Sequence, residues 1–358
     1  MSDTDSIPLN LCSQCGLPLS PTAILCPRCQ SVVVASQHWE APLLDKRGIA
    51  PVAKRRAGMI WLGVLAANIA AASMVGLSLW FSDKSPVAAT IFISSDFTLV
   101  PGVMGLVGAF CWKDLRLSSV EYFLYSLPIA AVGLLGGGVF MGEGAVCLLI
   151  VSPLLLAFVF LGSLLGRWLF ALGNKTLNMS LAPVILSFLM IDLFSPHHFA
   201  NCVSDTVVIK ATPAQVWSHL AVVPPIPSKP DFWLFRAGLP YPVQATARGT
   251  GVGATRRCIF SKNRIFEEKI THWEPSRRLT FEVTHQPSDP EILGHARVLR
   301  GQFDLQDNGD GTTTLTGTSW YELYVYPAAY YDLWAGSIAR QVHVRVMTHI
   351  KTLSEAGH

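Results

Sequence analysis

Charge is what this chain has least of. Only 14% of its 358 residues are Asp, Glu, Lys or Arg and 51% are hydrophobic, whereas an ordinary soluble domain carries about 25% charged residues. The shortage falls between Ala57 and Phe194, while residues 201–358 have a normal globular mixture. The net charge is only +3 and there is no long basic run, so nothing points to nucleic acid as a partner. A secretory leader is also missing: residues 1–11 are polar and acidic, with neither a basic nor an apolar region. The first apolar helix, near residue 57, is then expected to act as an uncleaved anchor that leaves the N-terminus in the cytoplasm. The eight cysteines form no disulfide framework. Four fall within residues 12–29, Cys111 and Cys147 lie in apolar stretches where a lone thiol behaves as a small hydrophobe, and Cys202 and Cys258 are isolated. No nucleophile elbow, phosphate-binding glycine loop or second metal cluster is present in the sequence.

What is present begins with two Cys-x-x-Cys pairs, Cys12 with Cys15 and Cys26 with Cys29. A tight turn between paired cysteines points both sulfurs inward, and two such turns complete a tetrahedral four-sulfur shell that suits zinc. Residues 10–31 resemble a short zinc ribbon of the kind found at the start of many bacterial membrane proteins. Four cysteines leave no open coordination position, so the metal is expected to be structural and to supply the folding energy of a segment too short to bury a core. The ribbon is either a docking surface for a cytoplasmic protein or a fold-stabilising remnant.

Residues 32–56 read as a tether ending in Lys54, Arg55 and Arg56. A spanning helix needs about 20 apolar residues, and five candidates follow between 57 and 195: 57–81, 87–112, 120–141, 145–170 and 177–194. Lys54, Arg55, Arg56, Lys113, Arg116, Arg167 and Lys175 then fall on one side of the bilayer, and the opposite loops, with Asp83, Lys84 and Glu143, hold a single basic residue. The positive-inside rule places the N-terminus inside and the C-terminal domain outside. The source this architecture suggests is a bacterial inner membrane. Asp96, Glu143 and Asp192 sit near predicted helix ends, not at mid-membrane, which favours an anchor bundle over a channel or carrier. Gly133, Gly136, Gly137 and Gly138 are expected to allow close helix packing.

From residue 201 the pattern turns to strands. Candidates are 203–210, 251–261, 264–273, 278–285, 295–305 and 313–325, with Leu279, Phe281 and Val283 forming one buried face. Thr212-Pro213 starts a short helix as cap and first residue. Asp307-Asn-Gly-Asp-Gly311 reads as a hairpin turn. A helix over 328–355 carries Tyr331, Trp334, Ile338, Val342, Val346, Ile350 and Leu353 on one apolar stripe. Thr206 to Trp217, Trp273 to Phe281, the Gly309–Leu315 turn and this last helix resemble the helix-grip fold of the START-like superfamily, also called SRPBCC or polyketide cyclase/dehydrase and lipid-transport proteins.

The expected fold is therefore a multi-domain membrane protein. It joins a zinc ribbon, an α-helical bundle and an α+β domain with a curved antiparallel sheet and a long C-terminal helix. The resemblance implies a cavity between that helix and the sheet, suited to a lipid or other hydrophobic small molecule. It also implies Trp217, Phe281, Phe303, Tyr331, Trp334 and Ile338 as lining residues, each of which plain core packing would explain equally. His295 and Arg297 share a predicted face with Leu299, either meeting an acidic group of the ligand or lying at a wet strand end. Glu268 and His272 share another face, as an acid/base pair or as a solvated strand surface. The same fold hosts cyclase- and hydrolase-like enzymes, and whether this chain catalyses anything stays open at this point.

Overall fold

In the computed structural model, the structure describes residues 10–11, 18–19, 46–82, 97–115, 117–171, 199–291 and 295–356. Near the N-terminus β1 (Asn10–Leu11) pairs antiparallel with β2 (Pro18–Leu19). Cys12, Cys15, Cys26 and Cys29 lie outside the described residues.

Among the described residues four helices follow: α1 (Lys46–Ser82), α2 (Leu99–Trp112), α3 (Ser119–Gly136) and α4 (Ala145–Ala171). A π-helical turn, Gly137–Met141, extends α3. Among the described residues three stretches are long and apolar enough to cross a membrane: Lys54–Leu77, Ser119–Met141 and Ala145–Phe170. Helix α2 is different. Its 14 residues rise about 21 Å at 1.5 Å each, and it is buried on nearly every side. The expected stretch 87–96 and the fifth expected helix, 177–194, lie outside the described residues.

Helices α2 and α4 touch backbone to backbone. A Cβ at Gly162 would collide with the Gly102 carbonyl oxygen, and one at Gly105 with that of Val159. Small residues at such contacts are how helices associate where lipid removes the hydrophobic drive. The expected glycines play a lesser part: a Cβ at Gly133 would lie 3.1 Å from Met104, and one at Gly136 would meet nothing within 4 Å. The residual polar groups inside are satisfied. Trp112 Nε1 donates to the Ile60 carbonyl (3.2 Å), Asn68 Nδ2 to that of Val64 (2.9 Å), and the Ser126 and Ser163 hydroxyls share a 3.2 Å bond.

These contacts fix polarity. The end of α2, the start of α3 and the end of α4 share one pole, where Arg167 donates to Ser119 Oγ (2.6 Å) and Lys113 lies over the Phe110 ring. The start of α4 and Phe97 occupy the other pole, against the C-terminal domain.

That domain runs β3 (Phe199–Ile209), α5 (Pro213–Trp217), α6 (Trp233–Ala237), β4 (Pro242–Arg248), β5 (Thr255–Phe260), β6 (Arg264–Glu274), β7 (Arg278–His285), β8 (Ala296–Asp307), β9 (Thr313–Leu323) and α7 (Ala328–Glu355). The seven strands form one sheet in the order β3-β9-β8-β7-β6-β5-β4, each adjacent pair antiparallel. Helix α5 starts with a capping box, Thr212 and Gln215 bonding reciprocally. The β8–β9 turn uses Gly309 and Gly311 at φ 78° and 82°, conformations glycine adopts without penalty. Helix α7 lays its stripe on the sheet, where Met347 and Ile350 join Ile209, Ile270, Leu279 and Leu315 in one core.

Candidate functional site

Between α7 and the concave sheet lies a cavity of about 300 Å³. Six of the eight expected ligand residues line it: Phe281, His295, Phe303, Tyr331, Trp334 and Ile338. Trp217 does not. It packs edge-on against Trp273, ring centroids 5.1 Å apart, on the rim of the core. Arg297 does not either, and the cause is a bulge. The β8–β9 register slips between Val298 and Arg300, so Val298 and Gly301 both line the cavity while Arg297 stays exposed. A bulge adds one residue and resets the alternation of faces. His295 precedes the strand and enters the cavity wall from the loop.

The wall is not made by the domain alone. Phe97 and the first two turns of α4, through Cys147, Ile150 and Val151, complete it. The junction is hydrogen bonded. Glu291 Oε2 accepts the backbone N–H groups of Val146 and Cys147, both at 2.9 Å, and the Gly144 N–H donates to the Pro290 carbonyl at 2.9 Å. The Tyr330 hydroxyl donates to the Ile150 carbonyl at 2.5 Å.

Beside this junction Glu143, Cys147 and His295 bring their side-chain heteroatoms within 4.8 Å of one another. His295 Nε2 lies 3.2 Å from Glu143 Oε1. Burial pushes the Glu143 carboxyl up, but hydrogen bonds from His295 and Cys147 outweigh it and hold the group below its ordinary range. The second Glu143 carboxylate oxygen, Oε2, is buried without a hydrogen-bond partner among the described residues.

Besides the ion pair of Arg264 Nε with the buried Asp289 Oδ2 at 2.7 Å, two further polar groupings in the cavity escape sequence reading. The first is an ion pair, Arg256 Nη1 with Glu268 Oε2, at only 3% and 5% side-chain exposure. Arg256 Nε also donates to the Ala221 carbonyl (3.1 Å), and the guanidinium lies 4.5 Å over the Phe281 ring. Burial pulls the guanidinium down, yet the adjacent carboxylate raises it overall. Burial likewise pushes Glu268 up against the opposing pull of Arg256. Glu268 is thus neither on a solvated face nor paired with His272. The β6–β7 register slips between Ile270 and His272, which turns His272 outward to a 3.6 Å contact with Glu274. Nearby, burial pushes the Cys258 thiol up to about 12, so it is an uncharged wall atom.

The second grouping is a chain of three. His343 on α7 bonds Asp205 Oδ2 on β3 through Nδ1 (2.8 Å) and the Ser319 hydroxyl on β9 through Nε2 (2.8 Å). Ser319 and His343 both line the cavity. One sequence signal could have found Asp205: it is a polar residue on the inward face that Val203, Val207 and Ile209 otherwise keep apolar.

With this geometry in view, residues 201–354 match the protein family described as polyketide cyclase / dehydrase and lipid transport. Among solved structures, a norcoclaurine synthase from Thalictrum flavum aligns at 11% identity over 44% of this chain and 87% of its own, with a TM-score of 0.31. The Zhui aromatase/cyclase from Streptomyces aligns at 15% identity over 44% of this chain and 94% of its own, also at 0.31. No curated protein matches the chain.

The buried pair yields a stability test. Glu268→Leu or Arg256→Met alone leaves an uncompensated buried charge and is expected to cost about 3–5 kcal/mol. The double variant should recover most of that loss, because apolar side chains replace such pairs at little cost. Denaturation of all three in detergent checks it, and a double variant as weak as the sum of the singles would show the two groups are not coupled.

Proposed function

We propose that this chain is a membrane-anchored binding protein whose C-terminal domain holds a lipid or other hydrophobic small molecule drawn from the bilayer. The observation that carries this reading is the shared wall. Cys147, Ile150 and Val151 line the cavity and also open the apolar stretch Ala145–Phe170. A ligand site built partly from such a helix opens where lipid is. The lining is mostly apolar, as binding sites for hydrophobic molecules are, with few polar groups to fix orientation. The family matched over 201–354, whose description includes lipid transport, points the same way.

Orientation follows from charge. The domain caps the start of α4, whereas Lys113 and Arg167 occupy the opposite pole, and Lys54, Arg55 and Arg56 precede the first apolar stretch. The positive-inside rule puts that basic pole in the cytoplasm and the domain outside. Helix α4 ends at Ala171 and β3 begins at Phe199, leaving residues 172–198, with the expected fifth span, to join the two poles. On the cytoplasmic side Cys12, Cys15, Cys26 and Cys29 hold a structural zinc and offer a surface to a cytoplasmic protein.

Native mass spectrometry of the full chain in nanodiscs is expected to find a copurified apolar ligand near one per chain. Val151→Phe on α4 and Ala339→Phe on α7 should each lower that occupancy several-fold in a chain that stays monodisperse. A wild-type chain that is empty and ignores a broad lipid panel would remove this reading. For orientation, Cys202 is exposed and should react with a membrane-impermeant maleimide on intact cells, with Cys202→Ser unlabelled. Labelling only after lysis would place the domain inside. Metal analysis of the purified chain should return one zinc per molecule, lost in Cys26→Ser; a metal-free wild type would sink the ribbon.

A further inference from the structure

We propose that Ser319 is a nucleophile, activated by His343 and Asp205, that takes up the acyl group of an apolar ester bound in the cavity. The three residues come from three elements, β9, α7 and β3, and meet only in the folded domain. Nδ1 of His343 donates to the Asp205 carboxylate at 2.8 Å, which fixes the tautomer and leaves Nε2 free to accept the Ser319 proton at 2.8 Å. Base within reach of nucleophile, and base oriented by a third group, is the arrangement nucleophilic catalysis requires. Burial adds to it. The His343 side chain is 7% exposed, and Ser319 opens onto the apolar cavity, not onto bulk water.

A bonding chain of this kind would also serve to tie α7 to the sheet. An Asp–His–Ser chain ending on a cavity wall goes further, because the serine hydroxyl then faces whatever the cavity holds. The mostly apolar lining selects an ester with a long apolar acyl chain. Ser319 Oγ would bond to the acyl carbon as its proton passes to His343 Nε2. The ester C–O bond then breaks, and that proton leaves with the departing alcohol. Water, activated by the same imidazole, releases the carboxylic acid and restores the serine.

Turnover is expected to be slow. Ser319 sits in a strand paired on both sides, opposite Val203 on β3 and Gly301 on β8. Its neighbouring backbone N–H groups are therefore committed to the sheet, and one missing oxyanion donor alone costs about 10²–10³ in rate.

The test is a long-chain alkyl fluorophosphonate on the purified full chain, read by intact mass and peptide mapping over hours. One adduct per chain on Ser319 is expected, absent in Ser319→Ala. His343→Gln should slow labelling about 100-fold and the isosteric Asp205→Asn at least several-fold; a role limited to tying the helix down would leave wild-type Ser319 unlabelled. No adduct on wild type, or equal labelling of Ser319→Ala, overturns the proposal. Copurified lipid measured on the same sample separates that failure from failure of the binding reading, since a chain that keeps its lipid but takes no label retains the cavity and loses only the nucleophile.

Discussion

The first turn of α4 presents backbone N–H groups with no acceptor in their own helix, and the Glu291 carboxylate supplies two of the missing bonds. It does so from the C-terminal domain, across 145 residues of chain. A carboxylate at this position also meets the positive end of the helix dipole. The geometry leaves no room at Gly144, where a Cβ would strike the Glu291 carboxyl group. Everything that makes the cavity a joint structure depends on this cap. It sets the start of α4 against the sheet, puts Ile150 and Val151 into the wall, and lets the Tyr330 hydroxyl reach the Ile150 carbonyl.

The cavity joins a mostly apolar lining to polar groups that bond one another, while the buried Tyr331 hydroxyl on its wall has no partner among the described residues. Arg256 and Glu268 face each other across β5 and β6, while Asp205, His343 and Ser319 form a chain between sheet and helix. Buried pairs of this sort are weak contributors to stability, because desolvation takes back much of the attraction. Their presence in a space otherwise lined by apolar side chains fits a role in orienting a ligand, for which a few fixed polar groups suffice.

The elements with strong local signals were legible in the sequence: the long apolar runs, the stripe of α7, the Thr212-Pro213 start of α5, and the strands β6 to β9. Strand β4 was not. Pro242-Val-Gln-Ala-Thr-Ala-Arg248 begins with proline, holds two alanines and no aromatic residue, and has only Val243 and Thr246 of the β-branched residues that mark strands. The site was legible where face alternation held, as at Phe281 and Phe303, and failed where a bulge reset it, as at Arg297 and His272. Glu268 looked like a surface residue because its partner lies on another strand. Asp205 and His343 are separated by 138 positions, and no local pattern announces such a meeting. The four N-terminal cysteines gave the strongest local pattern of all, and they lie outside the described residues.

The turn that ends α3 bears on where the cavity sits. Val139 and Phe140 are 75% and 87% exposed, which suits lipid tails and not water. In the membrane-anchored reading proposed above, their immersion would set the membrane surface near Glu143, in the short loop that follows. Ile150 and Val151, further along α4 and covered by the C-terminal domain, would then lie below that level. In that reading a hydrophobic ligand passing the wall would leave one oily medium for another, and the hydrophobic effect would contribute almost nothing to its entry. Selection among the many molecules of the membrane is left to the shape of the space and to the handful of polar groups within it.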